Sequence, residues 1–224
     1  MQQPWRRVAT RNRVIPGTYS ASMAQPGRAL SGGRYTSPYA AGVQQRGPWR
    51  VLGTRQVYAN PWMRLREDQI LRPNGTPGIY GVVEFVPAVG VVALTADEQV
   101  YLVGQYRYPT DGYSWEIVTG YADPSEELVR SAQRELREEA GLTAGAWTSL
   151  GQCHISNSVT DQVGHLYLAR ELTVGEAQPD ETEELSVRTV PLAQALAMAQ
   201  TSEIVQAFSL VGLYRAWHLL HPSA

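Results

Sequence analysis

Residues 123–141, Asp-Pro-Ser-Glu-Glu-Leu-Val-Arg-Ser-Ala-Gln-Arg-Glu-Leu-Arg-Glu-Glu-Ala-Gly, constrain the fold most, because they define one helix with both of its ends. Asp123 suits the N-cap, Pro124 the first helical position and Glu126 the third position of a capping box. Gly141 is a natural C-terminal stop. About four turns lie between. At 100° per residue, Leu128, Val129, Ala132, Leu136 and Ala140 form one apolar arc, with Arg130, Arg134 and Arg137 roughly opposite. The glutamates break this division. Glu135 projects at the edge of the arc, and Glu139 falls inside it, beside Leu128. The two are four apart, a like-charge pair that costs about 0.2–0.5 kcal/mol on an exposed helix. A carboxylate turned toward the protein needs a pairing charge or a bound cation. Two readings follow: a solvated, salt-bridged face of alternating Arg and Glu, or carboxylates awaiting a divalent, oxygen-liganded metal, with Mg²⁺ the first candidate.

Around this helix the chain reads as strands. Residues 49–59, 62–71 and 78–94 are strand-like, with a turn signal at Asn74-Gly75. Residues 100–108 follow the turn at Asp97-Glu98, and a short run, 115–118, precedes the helix. Residues 147–155, 164–173 and 185–191 are further strands, and helical patterns over 192–200 and 203–220 close the chain. Strands with few helices predict an α/β (α+β) fold with helices packed on a mixed sheet. No apolar run is long enough to span a membrane. One cysteine, Cys153, excludes an internal disulfide and a multi-cysteine zinc site. The basic residues are all arginine, which excludes a phosphate-loop lysine and a lysine Schiff base. Phosphate chemistry must then use arginine, backbone N–H groups or a metal.

Charge divides the chain. Residues 1–50 hold eight arginines and no acid, whereas the rest holds eleven arginines and all 21 acids. Residues 1–47, rich in Gly, Pro, Ser and Arg, are expected to be a disordered tail, with order beginning near Pro48. A dispensable extension is the preferred reading. The glycines and prolines oppose an amphipathic targeting helix, and the sparse arginines oppose a nucleic-acid-binding arm.

The wider spacing adds a resemblance. Gly120, Glu126, Arg134-Glu135-Leu136, Glu138-Glu139 and Gly141-Leu142 occupy every specified position of the Nudix box, nine fixed residues within 23, in a strand–loop–helix context. Gln105 to Pro109, Trp115-Glu116 and Glu181 to Leu185 make the chain resemble the ADP-ribose pyrophosphatase and nucleotide-sugar hydrolase branch. The resemblance implies an α/β/α sandwich over 87–222, preceded by a small antiparallel sheet over 48–86 used in dimerisation. It implies a homodimer that cleaves a nucleoside diphosphate linked to another group, with Mg²⁺ as cofactor and Mn²⁺ as a substitute; with no signal peptide and no disulfide, a cytoplasmic location is expected. Neither a membrane nor a nucleic acid is expected as partner. The box assigns Glu135 and Glu139 as metal ligands, Glu138 as ligand or base, and the Thr119 carbonyl as a further ligand. Arg134 would orient a glutamate, Glu126 would brace the loop, Gly120 would permit close backbone approach and Arg107 would grip a substrate phosphate.

Two departures from that branch stand out. Gln162 occupies the position where a catalytic glutamate is expected, and an amide accepts no proton at neutral pH. Asp161 or Glu138 would then serve as base, or the domain would sense a ligand rather than turn it over. Val118-Thr119-Gly120 replaces an expected Pro-Ala-Gly. His154 and His165 flank the 156–162 loop; a histidine base is one reading, and satisfied or exposed strand histidines are the expected one. No nucleophile elbow is present, so covalent catalysis is not expected.

Overall fold

The structure, a computed structural model, describes residues 40–178 and 184–222. The expectations for residues 1–39, and for Glu181, Thr182 and Glu183, lie outside the described residues. Four strands, β1 (Ala40–Arg46), β2 (Trp49–Ala59), β3 (Met63–Leu71) and β4 (Pro77–Phe85), form an antiparallel N-terminal sheet in sequential order. The β2 boundaries are those of the sequence reading. β1 lies within the expected tail. It is an edge strand that pairs through its backbone while its side chains from Val43 onward are exposed, so no hydrophobic alternation announces it.

The run over 78–94 is two strands in two sheets. β4 ends at Phe85, and β5 (Ala88–Ala93) begins after Val86-Pro87, where proline cannot donate to a ladder. β5 is buried along its whole length and runs parallel to β10 (Val163–Val174). With β8 (Val118–Tyr121) and β9 (Leu142–His154) they form the mixed sheet, in the order β8-β5-β10-β9. A third sheet joins β11 (Ser186–Pro191), β6 (Gln99–Arg107) and β7 (Gly112–Glu116). The expected run over 115–118 is therefore divided. Ile117 belongs to neither strand, because its N–H leaves the ladder for Ser209 Oγ, 2.9 Å away on the last helix.

Alternation along β5 sorts its side chains to two helical layers. Val89, Val91 and Ala93 meet Ala132 and Leu136 of α1 (Leu128–Ala140). Ala88, Val92 and Leu94 belong to the core that holds Leu192 and Leu196 of α2 (Leu192–Gln200) and Leu213 and Ala216 of α3 (Ala207–Leu220). Helices on both faces of a mixed sheet give the expected α/β/α arrangement. Among the described residues no helix is long and apolar enough to cross a membrane. Leu136 is fully buried at the centre of the α1 layer. Leu136→Ala is expected to cost about 2–5 kcal/mol, read as a lowered urea midpoint with an unchanged m-value.

Both later helices fit the sequence reading at their C-terminal ends, but α3 starts at Ala207 rather than Glu203. The Glu203 and Ile204 N–H groups return to the Met198 carbonyl, and the Gln206 side chain caps α3 by accepting the Ser209 N–H at 2.7 Å. α1 also starts later than its capping box suggests. Asp123 Oδ1 takes the Ser125 N–H and hydroxyl, at 2.7 and 2.6 Å, which closes a turn instead of a helix. These two bonds hold the Asp123 carboxyl below its ordinary range. Glu127 becomes the N-cap, with no side-chain cap bond. Gly141 ends α1 as expected, in the left-handed conformation at φ 66°.

Candidate active site

The C-terminal half of α1 lies against β8, and this contact assembles the site. Glu139 is 6% exposed, as its place inside the apolar arc requires, and accepts the Thr119 N–H at 3.4 Å. The Glu135 carboxylate rests on the Cα of Gly120. A Cβ built there would lie 2.0 Å from the Glu135 carboxyl carbon. Gly120 is therefore needed for close approach, since any side chain would occupy the place of the carboxylate.

Arg134 ties the cluster together. Its Nη1 donates to Glu135 at 2.8 Å and to Glu138 at 3.0 Å, and its Nη2 donates to the Tyr121 carbonyl at 3.1 Å. Partial burial works against the guanidinium charge, yet the Glu135 and Glu138 carboxylates outweigh it and raise Arg134 above the ordinary arginine range. The loop before α1 is braced from within. The buried Ser131 hydroxyl donates to Glu126 at 3.2 Å and accepts the Asp123 N–H at 3.1 Å. Glu126 reaches forward from the loop to Ser131 in this way.

Gly120 and Thr119 open onto a cavity of about 430 Å³ that also holds Arg107, Glu116, Tyr121 and Gln162. Arg107 makes a bidentate pair with Glu116, Nε to Oε1 at 2.9 Å and Nη2 to Oε2 at 2.5 Å. Glu116 is buried, whereas the Arg107 side chain is 37% exposed. The pairing role of Glu116 was missed in the sequence. Its signal was an acid inside the apolar Trp-Glu-Ile-Val run, where only a paired carboxylate is tolerated. Ser131 carried no signal, since a serine on a helix face reads as solvent-facing.

The candidate bases part company. Gln162 lines the cavity, but Asp161 does not. It lines a neighbouring groove with Trp62, Arg64 and Phe85, and its carboxylate accepts the Phe85 N–H at 3.1 Å. The bridge between Val83 and Thr160 draws the loop onto β4 and turns Asp161 outward. Glu138 stays beside the cluster with a 34% exposed side chain. Burial lowers the His165 pKa, which favours the neutral imidazole, and raises that of the Cys153 thiol, which disfavours the thiolate nucleophile. His154 is exposed on β9.

Glu135, Glu138, Glu139 and the Thr119 carbonyl offer only oxygen donors, the chemistry that suits a hard divalent cation. Among the described residues no three acidic, histidine or cysteine side chains close into a metal cluster, and Arg134 bridges two of the glutamates instead. The Glu135 carboxylate fills the place of a Gly120 side chain and so lies against the β8 backbone.

Comparison with known proteins gives the family. The NUDIX domain profile matches residues 84–208, and the nucleoside diphosphate sugar hydrolase N-terminal domain matches residues 49–83. The chain belongs to the Nudix hydrolases. It is similar to an ADP-ribose pyrophosphatase of Bacillus subtilis, 31% identical over 70% of this chain and 86% of that one. An ADP-ribose pyrophosphatase of Mycobacterium tuberculosis is 30% identical over 74% of this chain and 81% of its own length. A crystal structure of an ADP compounds hydrolase shares the fold with a TM-score of 0.71 at 22% identity, over 83% of this chain and 99% of that one. The chain is an ADP-ribose pyrophosphatase-like Nudix hydrolase, and enzymes of this family generally use divalent metals.

Proposed function

We propose that this enzyme is a Mg²⁺-dependent pyrophosphohydrolase that cleaves a nucleoside diphosphate linked to another group, ADP-ribose or a nucleotide sugar. The products are a nucleoside monophosphate and the phosphorylated second group. The observation that carries the reading is the Glu135 carboxylate resting on Gly120 at the wall of the cavity that holds Arg107. The names of the relatives and the match at residues 49–83 support the substrate class.

Glu135, Glu139, Glu138 and the Thr119 carbonyl would hold the cation. When bound, it supplies neutralising charge for the diphosphate and a more acidic water. Thr119 N–H fixes Glu139, and Arg134 orients Glu135 and Glu138. Arg107, held from behind by Glu116, presents its exposed edge to a substrate phosphate. Glu138 takes the proton of the attacking water, a role that the outward-turned Asp161 fills less well. The proposal includes a cytoplasmic homodimer. Exposed Val57 and Ile79 on the N-terminal sheet support that association, and sedimentation tests it.

Hydrolysis of ADP-ribose, ADP-glucose, UDP-glucose, GDP-mannose, NADH and diadenosine polyphosphates with Mg²⁺, following nucleoside monophosphate, tests the activity. Turnover of one or two diphosphate-linked compounds, lost with chelator, is the expected result. Gln162 in the cavity favours a second reading, a domain that binds such a ligand with little turnover. Ligand binding with no hydrolysis of any compound would select it. Gln162→Glu adds a carboxylate to the cavity and is expected to leave kcat unchanged or raise it. A tenfold fall would show that Gln162 itself contacts the substrate.

A further inference from the structure

The arginine face of α1 is not simply solvated. Arg130, Arg134 and Arg137 form one wall of a groove of about 610 Å³, and Thr143, Ala144 and Trp147 at the start of β9 form the other. This volume falls within the range of small-molecule pockets, about 300–1,000 Å³. The catalytic cavity is lined by none of these residues.

The charges in the groove are unequally answered. Arg134 is committed to Glu135, Glu138 and the Tyr121 carbonyl. Arg130 hydrogen-bonds the neutral amide of Gln133 at 3.3 Å. Among the described residues neither Arg130 nor Arg137 makes an ion pair. Glu126 is, among the described residues, the one carboxylate lining the groove, and it accepts from Ser131. These two exposed guanidiniums line the groove without an ion-pair partner among the described residues. Their Cα atoms are separated by two turns, about 10.5 Å of helix rise. That span exceeds one phosphate and suits two phosphates gripped from both ends, with guanidinium forks matching phosphate oxygens. Trp147 adds a planar apolar wall. It is held in place by its Nε1–H to the Ala144 carbonyl at 3.2 Å and by an edge contact with Tyr167.

We propose that this groove is a second anion site, separate from the catalytic cavity, that binds a diphosphate-bearing small molecule through Arg130 and Arg137. It does not depend on which substrate the catalytic cavity takes.

Calorimetric titration of the full chain with inorganic pyrophosphate, without metal, tests it. Arg130→Gln/Arg137→Gln is expected to weaken binding at least tenfold. Both arginines are exposed, so circular dichroism should show a folded double variant. The single variant Arg137→Gln, expected to lose part of the affinity, repeats the test with one change. Wild-type affinity in the double variant would overturn the site, whether the anion then proves to bind at Arg107 or at the N-terminal arginines. Absence of millimolar binding to the wild type would overturn it equally.

Discussion

Glu139→Gln should reduce kcat by about 10²–10³-fold while leaving the fold intact. The expected loss corresponds to several kcal/mol of metal-derived charge stabilisation in the transition state. The substitution is nearly isosteric. Its amide oxygen can still accept the Thr119 N–H, so the β8–α1 contact survives. Removing a buried negative charge should leave the metal-free protein as stable as before, or more so. The separating measurement is thermal unfolding with and without Mg²⁺. The wild type should gain stability from bound metal and the variant much less. Full turnover in Glu139→Gln would show that the metal lies elsewhere.

Gly120→Ala should inactivate by a different route, lowering kcat by about 10²-fold. Its new Cβ would fall 2.0 Å from the Glu135 carboxyl carbon and 2.3 Å from both carboxylate oxygens. A carboxylate at the end of a flexible side chain can swing away, so stability should change by less than about 1 kcal/mol. The cost falls on the position of Glu135, and with it on metal affinity and rate. Urea unfolding together with Mg²⁺ titration of activity checks this. A large stability loss with unchanged metal dependence would mean that Glu135 packs there for structural reasons alone.

Local signals account for what the sequence disclosed. The boundaries of β2 and α2, the Gly141 stop and the inward turn of Glu139 follow from period, cap and composition within a few residues. The box spacing likewise brought Glu135, Glu138, Arg134 and Gly120 into one neighbourhood, because a helix of fixed pitch starts a short loop after the strand that carries the glycine. A capping box is also a local signal, yet it misplaced the start of α1. Asp123 and Glu126 have the right identities, but Ser125 and Ser131 offered their carboxylates competing partners.

Tertiary contacts decided the remainder. The break at Ile117 depends on Ser209, 92 residues away, and the outward turn of Asp161 depends on Phe85, 76 residues away. The Arg107–Glu116 pair needs the β6–β7 hairpin to form before its charges meet. The groove between α1 and β9 exists only once helix and sheet are packed. By itself the sequence determined which carboxylates of α1 turn inward, since helical pitch fixes their direction. What they and the neighbouring arginines face was left to the tertiary structure, because pairings between distant segments leave no period in the chain to read.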